Sequence, residues 1–175
     1  MCGIVGGVTN RDITPLLLDG LKRLEYRGYD SSGLIVLSKK NSFNRARSVG
    51  KVKNLEKNLK TRKNKIKGNI GIAHTRWATH GEPSNHNAHP HISNNTISVV
   101  HNGIIENYLE LKDSLIKQGY RFTSDTDTEV IAHAICFAMQ SSDNLLESVQ
   151  KAVTTFDGAY GLGIISPNYP NTIIA

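Results

Sequence analysis

The sequence has little cysteine and no long apolar run, and both absences narrow the possible function classes. Its 175 residues include only two cysteines, too few for the disulfide framework of a small secreted domain. The longest apolar runs, near residues 131–139 and 161–165, are shorter than the about 18 residues that a membrane-spanning helix needs. The N-terminus also lacks a secretion signal, because polar residues 10–12 interrupt its apolar stretch. We therefore expect a cytoplasmic protein without membrane contact.

The chain does contain enough apolar material for one core. Hydrophobic residues make up 38% of it and charged residues 21%, and these fractions do not suit a disordered chain. Segments with strand and helix patterns come in clusters rather than in strict alternation, and no internal repeat is present. The sequence therefore predicts one globular α+β domain over residues 1–175.

Positive charge is concentrated in residues 39–67, which we call the basic segment. It holds 12 of the 21 Lys and Arg and one acid, Glu56, so the remaining residues hold 9 basic and 14 acidic side chains. Nucleic-acid binding is an alternative for such a segment. However, its most basic stretch, residues 62–67, contains no aromatic residue, and no binding motif is present. We favour a solvated helix and loop, and expect no nucleic-acid partner.

Cys2 combines two reactive groups if Met1 is removed. It then becomes the first residue and carries both a thiol and a free α-amine. An α-amine has an ordinary pKa of roughly 7.7–8.0, which suits a base that takes the thiol proton near neutral pH. Residues 2–8 are apolar and rich in glycine, so they predict a strand that would hold the amine in place. A cysteine at position 2 also occurs by chance. This motif alone therefore leaves both the catalytic and the non-catalytic interpretation of Cys2 open.

Residues 74–81 end a predicted strand with a dense set of recognition groups. Among them, Arg76 carries a guanidinium that fits a carboxylate with two parallel hydrogen bonds, which suits a small α-carboxylate ligand. Asp127 lies with two other acids in residues 125–129, where an acid either caps a helix or binds an ammonium group. An arginine and an acid that face one pocket would hold both charges of a free amino acid.

Asn102 and Gly103 follow an apolar strand. A side-chain amide and the next backbone N–H form a suitable donor pair for a developing oxyanion, although an ordinary turn is the commoner reason for Asn-Gly. Four histidines within residues 80–91 allow metal binding as a further alternative. Glu82 is the only acid near them and the spacing matches no metal motif, so we expect neither a metal nor a cofactor.

Six segments cover the chain from end to end in a fixed order. They are CGIVG at 2–6, RLEYRGYDS at 23–31, residues 74–84, NAHPH at 87–91, residues 101–107 and TDTEV at 126–130. Together these segments resemble the glutaminase domain of the class II, N-terminal nucleophile glutamine amidotransferases. The segments at 23–31 and 74–84 are similar to the branch that aminates fructose 6-phosphate, and differ from the purine and asparagine branches.

The resemblance implies a role for each residue singled out above. Cys2 would attack the side-chain amide of L-glutamine, with its own amine as the base. Asn102 and Gly103 would form the oxyanion hole. Arg76 would bind the α-carboxylate of glutamine, and Asp127 its α-ammonium group. A γ-glutamyl thioester would form, and glutamate and ammonia would be released.

The resemblance also implies supporting residues and a fold. Trp77, Thr79 and His80 would belong to the loop that covers bound glutamine, and Arg27 with Gly28 would brace the N-terminus. The family fold is a four-layer αββα sandwich of the N-terminal nucleophile hydrolase type. This fold agrees with the α+β prediction made from the order of the elements.

The chain is shorter than the resemblance predicts. The sugar-phosphate isomerase domains of that branch are absent from residues 1–175, and we expect the glutaminase domain to be incomplete at its C-terminus. Fructose 6-phosphate would then be reached only through those other domains, and this fragment would be a monomer although the longer enzyme is oligomeric. Two alternatives stay open: another class II branch, and a fragment that binds glutamine or nucleic acid without turnover.

Overall fold

Two antiparallel sheets form the centre of the molecule, as seen in a computed structural model that describes residues 2–78, 80–142 and 144–175. The first sheet has the spatial order β1-β4-β2-β3 and consists of β1 (Gly3–Val8), β2 (Ser31–Leu37), β3 (Phe43–Val49) and β4 (Ile70–Arg76). The second sheet has the order β5-β6-β7-β8 and consists of β5 (His91–Ser93), β6 (Ile97–Ile105), β7 (Gly158–Ile165) and β8 (Ile173–Ile174).

Helices cover the outer face of each sheet. The first sheet carries α1 (Thr14–Leu24) and α2 (Val52–Thr61). The second carries α4 (Asp127–Ala138), which α3 (Tyr108–Lys117) and α5 (Leu145–Val153) flank. Within the described residues, no helix combines the length and the apolar character needed to cross a membrane. The layers therefore run helix, sheet, sheet, helix, as the four-layer prediction requires.

Strand β2 shows why the layers form. Side chains along a strand point alternately to opposite faces, and every residue of β2 is buried. Leu34 and Val36 pack in the apolar cluster under α1 and α2, whereas Ile35 and Leu37 pack in the cluster between the sheets. A strand that is apolar on both faces must lie between two layers. The predicted α+β class is confirmed.

The layer between the sheets changes from apolar to polar at one end. Ile4, Ile72 and Val100, from three different strands, pack in its apolar part. Because side chains two positions apart share a face, the next residues on these strands continue the same layer. Those residues are Cys2, His74 and Asn102. The strand period alone thus gathers chemically active side chains at one end of the core.

Two elements differ from the expectations drawn from the sequence. Residues 120–123 have a short strand pattern, but within the described chain they form none, and the N–H of Thr123 donates to the Glu129 carboxylate (3.0 and 3.1 Å). Strand β6 continues through Asn102 and Gly103, which we expected to follow a strand. Both residues are therefore held by the sheet rather than by a turn.

The basic segment is partly structural rather than wholly solvated. Arg45 donates through Nη1 to the carbonyl of Pro90 (3.1 Å), and Arg47 donates to the carbonyls of Ala88 (2.9 Å) and His86 (3.1 Å). Burial lowers the pKa of Arg47 to about 10, assisted by the neighbouring positive charge. These two arginines of β3 therefore fasten residues 86–90 over the sheet.

The backbone of β3 is bound from its outer side as well. Among the described strands, β3 has only β2 as a neighbour. The carbonyl of Arg47 accepts from Asn58 Nδ2 (3.3 Å), and the carbonyl of Arg45 accepts from Arg62 Nη1 (3.0 Å). Side chains from α2 and its end thus occupy acceptors along this edge.

Replacing Ile72 by alanine should lower the free energy of unfolding by about 2–5 kcal/mol, because the side chain is fully buried between two sheets and leaves a cavity. Urea denaturation followed by circular dichroism measures this change. Leu16→Ala, at an exposed position of α1, is the matched control and should change the free energy by less than about 0.5 kcal/mol. Equal losses in the two variants would contradict a close-packed layer between the sheets.

Candidate active site

A cavity of about 490 Å³ opens at the polar end of the layer between the sheets. Strands β4, β6 and β7, the start of α4 and Cys2, which directly precedes β1, contribute to its wall. The predicted site residues that line it are Cys2, Arg27, Arg76, Trp77, Asn102, Gly103 and Asp127. Segments that are far apart in the sequence thus converge on one space.

The thiol of Cys2 is held by the backbone that follows β4. Its Sγ accepts a hydrogen bond from the Trp77 N–H (3.2 Å) and lies 3.6 Å from the Trp77 carbonyl oxygen. The N–H of the next residue, Ala78, donates to the carboxylate of Asp30 (2.9 Å), which fixes this stretch. The indole of Trp77 is half exposed and meets Tyr29 edge-on, with ring centres 5.8 Å apart. Cys2 and the predicted covering loop are therefore in direct contact.

The Asn102 side chain is fixed at both ends. Its Nδ2 donates to the backbone carbonyl of Cys2 (3.1 Å), and its Oδ1 lies 2.9 Å from Nε2 of His74. Gly103 has a φ of +128°, and an added Cβ would overlap the backbone of Ala159 and Tyr160. A side chain is therefore excluded at residue 103, which keeps the backbone accessible from the cavity.

Arg76 is a buried cation, with 3% of the residue exposed. Its Nη2 donates to the carbonyls of His80 and Gly81, which close around the guanidinium. Its Nη1 is buried and makes no hydrogen bond within the described part of the chain. Burial lowers the pKa of Arg76, while the nearby carboxylates of Asp127 and Asp30 oppose that shift. A buried donor without a partner is costly, and it marks a position where an anion would bind.

Asp127 is equally buried and lies in the first turn of α4. Its Oδ2 accepts from the N–H of Ile105 (3.0 Å) and lies 3.9 Å from Nδ1 of His101. The hydrogen bond ties the start of α4 to the end of β6. The acid is thereby held at the cavity wall rather than serving only as a helix cap.

The supporting residues are divided between the cavity and its surroundings. Arg27 lines the cavity, whereas Gly28 falls outside the described lining. The His80 ring also falls outside it and meets Tyr108 edge-on, with ring centres 5.2 Å apart. Thr79 lies outside the residues that the structure describes.

A family model described as "Glutamine amidotransferase domain" matches residues 74–175, more than half of the chain. The chain belongs to this family. The family predicted from the six sequence segments is thus confirmed.

Relatives of this glutamine amidotransferase domain are similar over its whole length. It is 56% identical over 174 residues to glutamine–fructose-6-phosphate aminotransferase (isomerizing) of Acinetobacter baylyi, and 56% identical over 176 residues to that of Buchnera aphidicola. The alignments cover 99% and 100% of this chain but 28% of each relative. The chain therefore spans less than a third of the length of these relatives.

Solved structures share the fold. Glutamine phosphoribosylpyrophosphate amidotransferase from B. subtilis, complexed with ADP and GMP, has a TM-score of 0.75 and 26% identity over 95% of this chain and 35% of its own. The allosteric regulatory enzyme of purine biosynthesis has a TM-score of 0.77 and 28% identity over 94% of this chain and 36% of its own. Identity to the fructose-6-phosphate enzymes is twice as high, so the sequence is closer to that branch.

Buried histidines beside the cavity are the feature that the sequence analysis missed. The ring centre of His89 lies 4.2 Å from that of His74, 5.1 Å from that of His91 and 6.5 Å from that of His101. Thr128 connects two of them, since its Oγ1 lies 3.0 Å from Nε2 of His89 and 2.9 Å from Nδ1 of His101. In the sequence, His74 and His101 each follow apolar residues at the two-residue period of a strand, and His89 and His91 belong to the histidine-rich residues 80–91.

These four histidines of the glutamine amidotransferase domain are uncharged. Burial lowers the pKa of each below the usual value of 6.5, and lowers that of His74 to about 3. Within the described residues, no group of three or more His, Cys, Asp or Glu is arranged to hold a metal ion. The cluster is therefore a network of neutral rings and hydroxyl groups.

The free energy of unfolding should decrease as the pH falls below about 6.5. Above that pH the histidines are neutral in both the folded and the unfolded chain, so they add no pH dependence to the free energy of unfolding. Below it, the unfolded chain binds protons that the folded chain excludes, because the native pKa values are lower. Each such proton adds about 1.4 kcal/mol per pH unit to the slope.

Urea titrations from about pH 7 to pH 4 measure this slope. His91→Gln should lower this slope by about 1.4 kcal/mol per pH unit, the share of one proton, because a fully buried imidazole is removed. His86→Gln, at an exposed position, is the control and should keep the parent slope. An unchanged slope in His91→Gln would contradict the neutral burial of this ring.

Proposed function

We propose that this chain hydrolyses L-glutamine to glutamate and ammonia, with Cys2 as the nucleophile. The observation that supports it most is the convergence of the Cys2 thiol, the buried Arg76 and the buried Asp127 on one cavity. Its volume of about 490 Å³ is in the range of small-molecule sites. An amino acid is the ligand class that carries the matching carboxylate and ammonium groups.

Arg76 and Asp127 would orient the substrate. Within the described residues the unpartnered Nη1 of Arg76 is available to a carboxylate, while Nη2 already donates to the carbonyls of His80 and Gly81. The carboxylate of Asp127 would bind the α-ammonium group. Fixing both charges at one end of glutamine directs its side-chain amide toward Cys2. Trp77, Thr79 and His80 are proposed to cover the bound substrate, and Arg27 with Gly28 to brace the N-terminus.

The reaction begins once Met1 has been removed. The α-amine of Cys2 takes the thiol proton, and the sulfur forms a bond to the amide carbon of glutamine. Negative charge then develops on the amide oxygen, where the side-chain N–H of Asn102 and the backbone N–H of Gly103 stabilise it.

The tetrahedral intermediate collapses by breaking the bond between carbon and nitrogen. The protonated amine gives its proton to the leaving nitrogen, so ammonia departs and a γ-glutamyl thioester remains. The same amine then takes a proton from water, whose oxygen attacks the thioester carbon. The bond between carbon and sulfur then breaks and the amine gives its proton to the sulfur, which releases glutamate and restores the thiol.

We further propose that the ammonia serves the amination of fructose 6-phosphate. The support is the name shared by relatives that are 53–56% identical to this chain. Since the chain spans 28–29% of their length, the acceptor would bind in sugar-phosphate isomerase domains outside residues 1–175. A monomeric fragment, a cytoplasmic location and the lack of a cofactor and of a nucleic-acid partner stay predictions.

Binding without turnover is the alternative function. For nucleic acid, Arg45 and Arg47 of the basic segment are engaged with backbone carbonyls, and its most basic stretch, residues 62–67, contains no aromatic residue on which a base could stack. If the chain only bound glutamine and did not hydrolyse it, a thiol beside the glutamine amide would have no role. The placement of Cys2 in the cavity therefore favours hydrolysis.

Cys2→Ala should abolish glutamate release, because no other thiol lines the described cavity. Cys2→Ser should release glutamate far more slowly, since an alcohol is ionised much less than a thiol. The measurement is an enzymatic glutamate assay with L-glutamine and EDTA, with intact mass spectrometry of the same sample to show that Met1 is gone. Cys136→Ala, at a buried position in α4, is the matched control and should keep activity.

Full activity in Cys2→Ala would show that the proposed mechanism is wrong. A Met1-free parent chain that binds glutamine without releasing glutamate would support the alternative of binding alone. Activity that falls steeply with salt would instead point to a charged surface rather than to this cavity.

Arg76→Lys should raise the KM for glutamine by about 10- to 100-fold, because one ammonium cannot both bind the carboxylate in place of Nη1 and keep the carbonyl contacts that Nη2 makes. Steady-state kinetics measures this change. Arg11→Lys, at an exposed position outside the cavity, is the matched control and should keep the parent KM. An unchanged KM in Arg76→Lys would show that Arg76 does not bind the substrate.

A further inference from the structure

The proposed function requires one particular orientation of the Asn102 amide. The two ends of an asparagine side chain differ in chemistry, because the NH₂ end donates two hydrogen bonds and the oxygen only accepts. Only the NH₂ end stabilises an oxyanion. Rotation of the amide by half a turn would place its oxygen beside Cys2 and repel the developing charge. A neighbouring group must therefore set which end faces the nucleophile.

His74 is placed to do this. Its Nε2 lies 2.9 Å from Oδ1 of Asn102, while Nδ2 of the same amide donates to the Cys2 carbonyl (3.1 Å). The first contact joins β4 of one sheet to β6 of the other. His74 is completely buried and lies outside the described lining of the cavity. It therefore acts on the site through Asn102 rather than by touching substrate.

The position of the His74 proton follows from its partners. Burial lowers the pKa of His74 to about 3, so the ring is neutral at neutral pH and carries one N–H. Nε2 faces the Asn102 oxygen, which can only accept a hydrogen bond, and the backbone of His101 is the other hydrogen-bonding group beside the ring. The proton therefore lies on Nε2.

The reversed amide would lose both contacts. Its NH₂ would then face the Nε2–H of His74, which places donor against donor. Its oxygen would face the carbonyl of Cys2, which places acceptor against acceptor. Contact with the His89 ring, 4.2 Å away between centres, limits the freedom of His74 to turn aside. The surroundings thus favour one amide orientation.

The geometry points to His74 as a positioning residue whose Nε2–H holds the oxygen of Asn102 and so keeps the NH₂ group directed at the reacting amide of glutamine. One hydrogen of that NH₂ bonds the Cys2 carbonyl, and the second is left for the oxyanion. This inference rests on the proposed function, since it assumes that Asn102 stabilises the transition state.

Kinetics of His74 variants tests the inference first. His74→Phe keeps a ring but removes the donor, and should lower kcat by about 10- to 100-fold with KM changed less than about 2-fold, since an oxyanion donor acts in the transition state. His74→Gln restores an N–H and should recover most of kcat. His133→Gln removes another buried histidine, one outside the cavity lining, and should keep parent kinetics. A change in KM alone, or a kcat of His74→Gln as low as that of His74→Phe, would overturn the positioning role of His74.

A double-mutant cycle separates positioning from a merely structural effect. Asn102→Ala should itself lower kcat by about 10²- to 10³-fold. Adding His74→Phe to it should cost less than about 2-fold more, because the group that His74 positions is already gone. Losses that multiply would show that His74 acts independently of Asn102 and would overturn the inference.

A spectroscopic test does not depend on turnover. Nitrogen-15 NMR of the parent chain at neutral pH should show His74 protonated on Nε2 alone, and the Asn102 side-chain amide resonances should move in His74→Phe but not in His133→Gln. A proton on Nδ1 would overturn the inference even if glutamine is hydrolysed. If Cys2→Ala stays active, the proposed function fails instead, and the NMR result still decides whether His74 orients Asn102.

Discussion

Alternation of side chains along strands β1, β4 and β6 is the constraint on which the site depends. The same faces that carry apolar residues in the middle of the molecule carry Cys2, His74 and Asn102 at its end. These three side chains thus extend the layer between the two sheets, and the strands hold them in place. Such support keeps reacting groups within small tolerances, which catalysis requires.

The polar end of this layer also has a cost. Buried polar groups stabilise a fold only when they are paired, and among the described residues Arg76 Nη1 has no partner there. The histidine cluster reduces the cost by staying neutral and by sharing hydroxyl partners such as Thr128. An anion bound at Arg76 would satisfy its remaining donor. Ligand binding and the stability of this end of the core are therefore linked.

The sequence predicted much of the fold and of the site, for different reasons. The apolar, glycine-rich residues 2–8 predicted β1, and the six segments predicted that Cys2, Arg76 and Asp127 belong to one site. The contact between His74 and Asn102 was not predictable, because the two residues are 28 positions apart on different sheets and no local pattern records such a contact. Arg45 and Arg47 looked like surface charges for the same reason: their acceptors are backbone carbonyls, which have no sequence signature.

The outer edge of β3 has a consequence beyond the fold of one molecule. An open strand edge offers unpaired backbone groups to which a strand from another molecule can add, and this is a route to aggregation. Here the carbonyls of Arg45 and Arg47 are already occupied by the side chains of Arg62 and Asn58. The charged side chains of β3 further disfavour an incoming strand. This edge thus protects the protein from growing into intermolecular sheets.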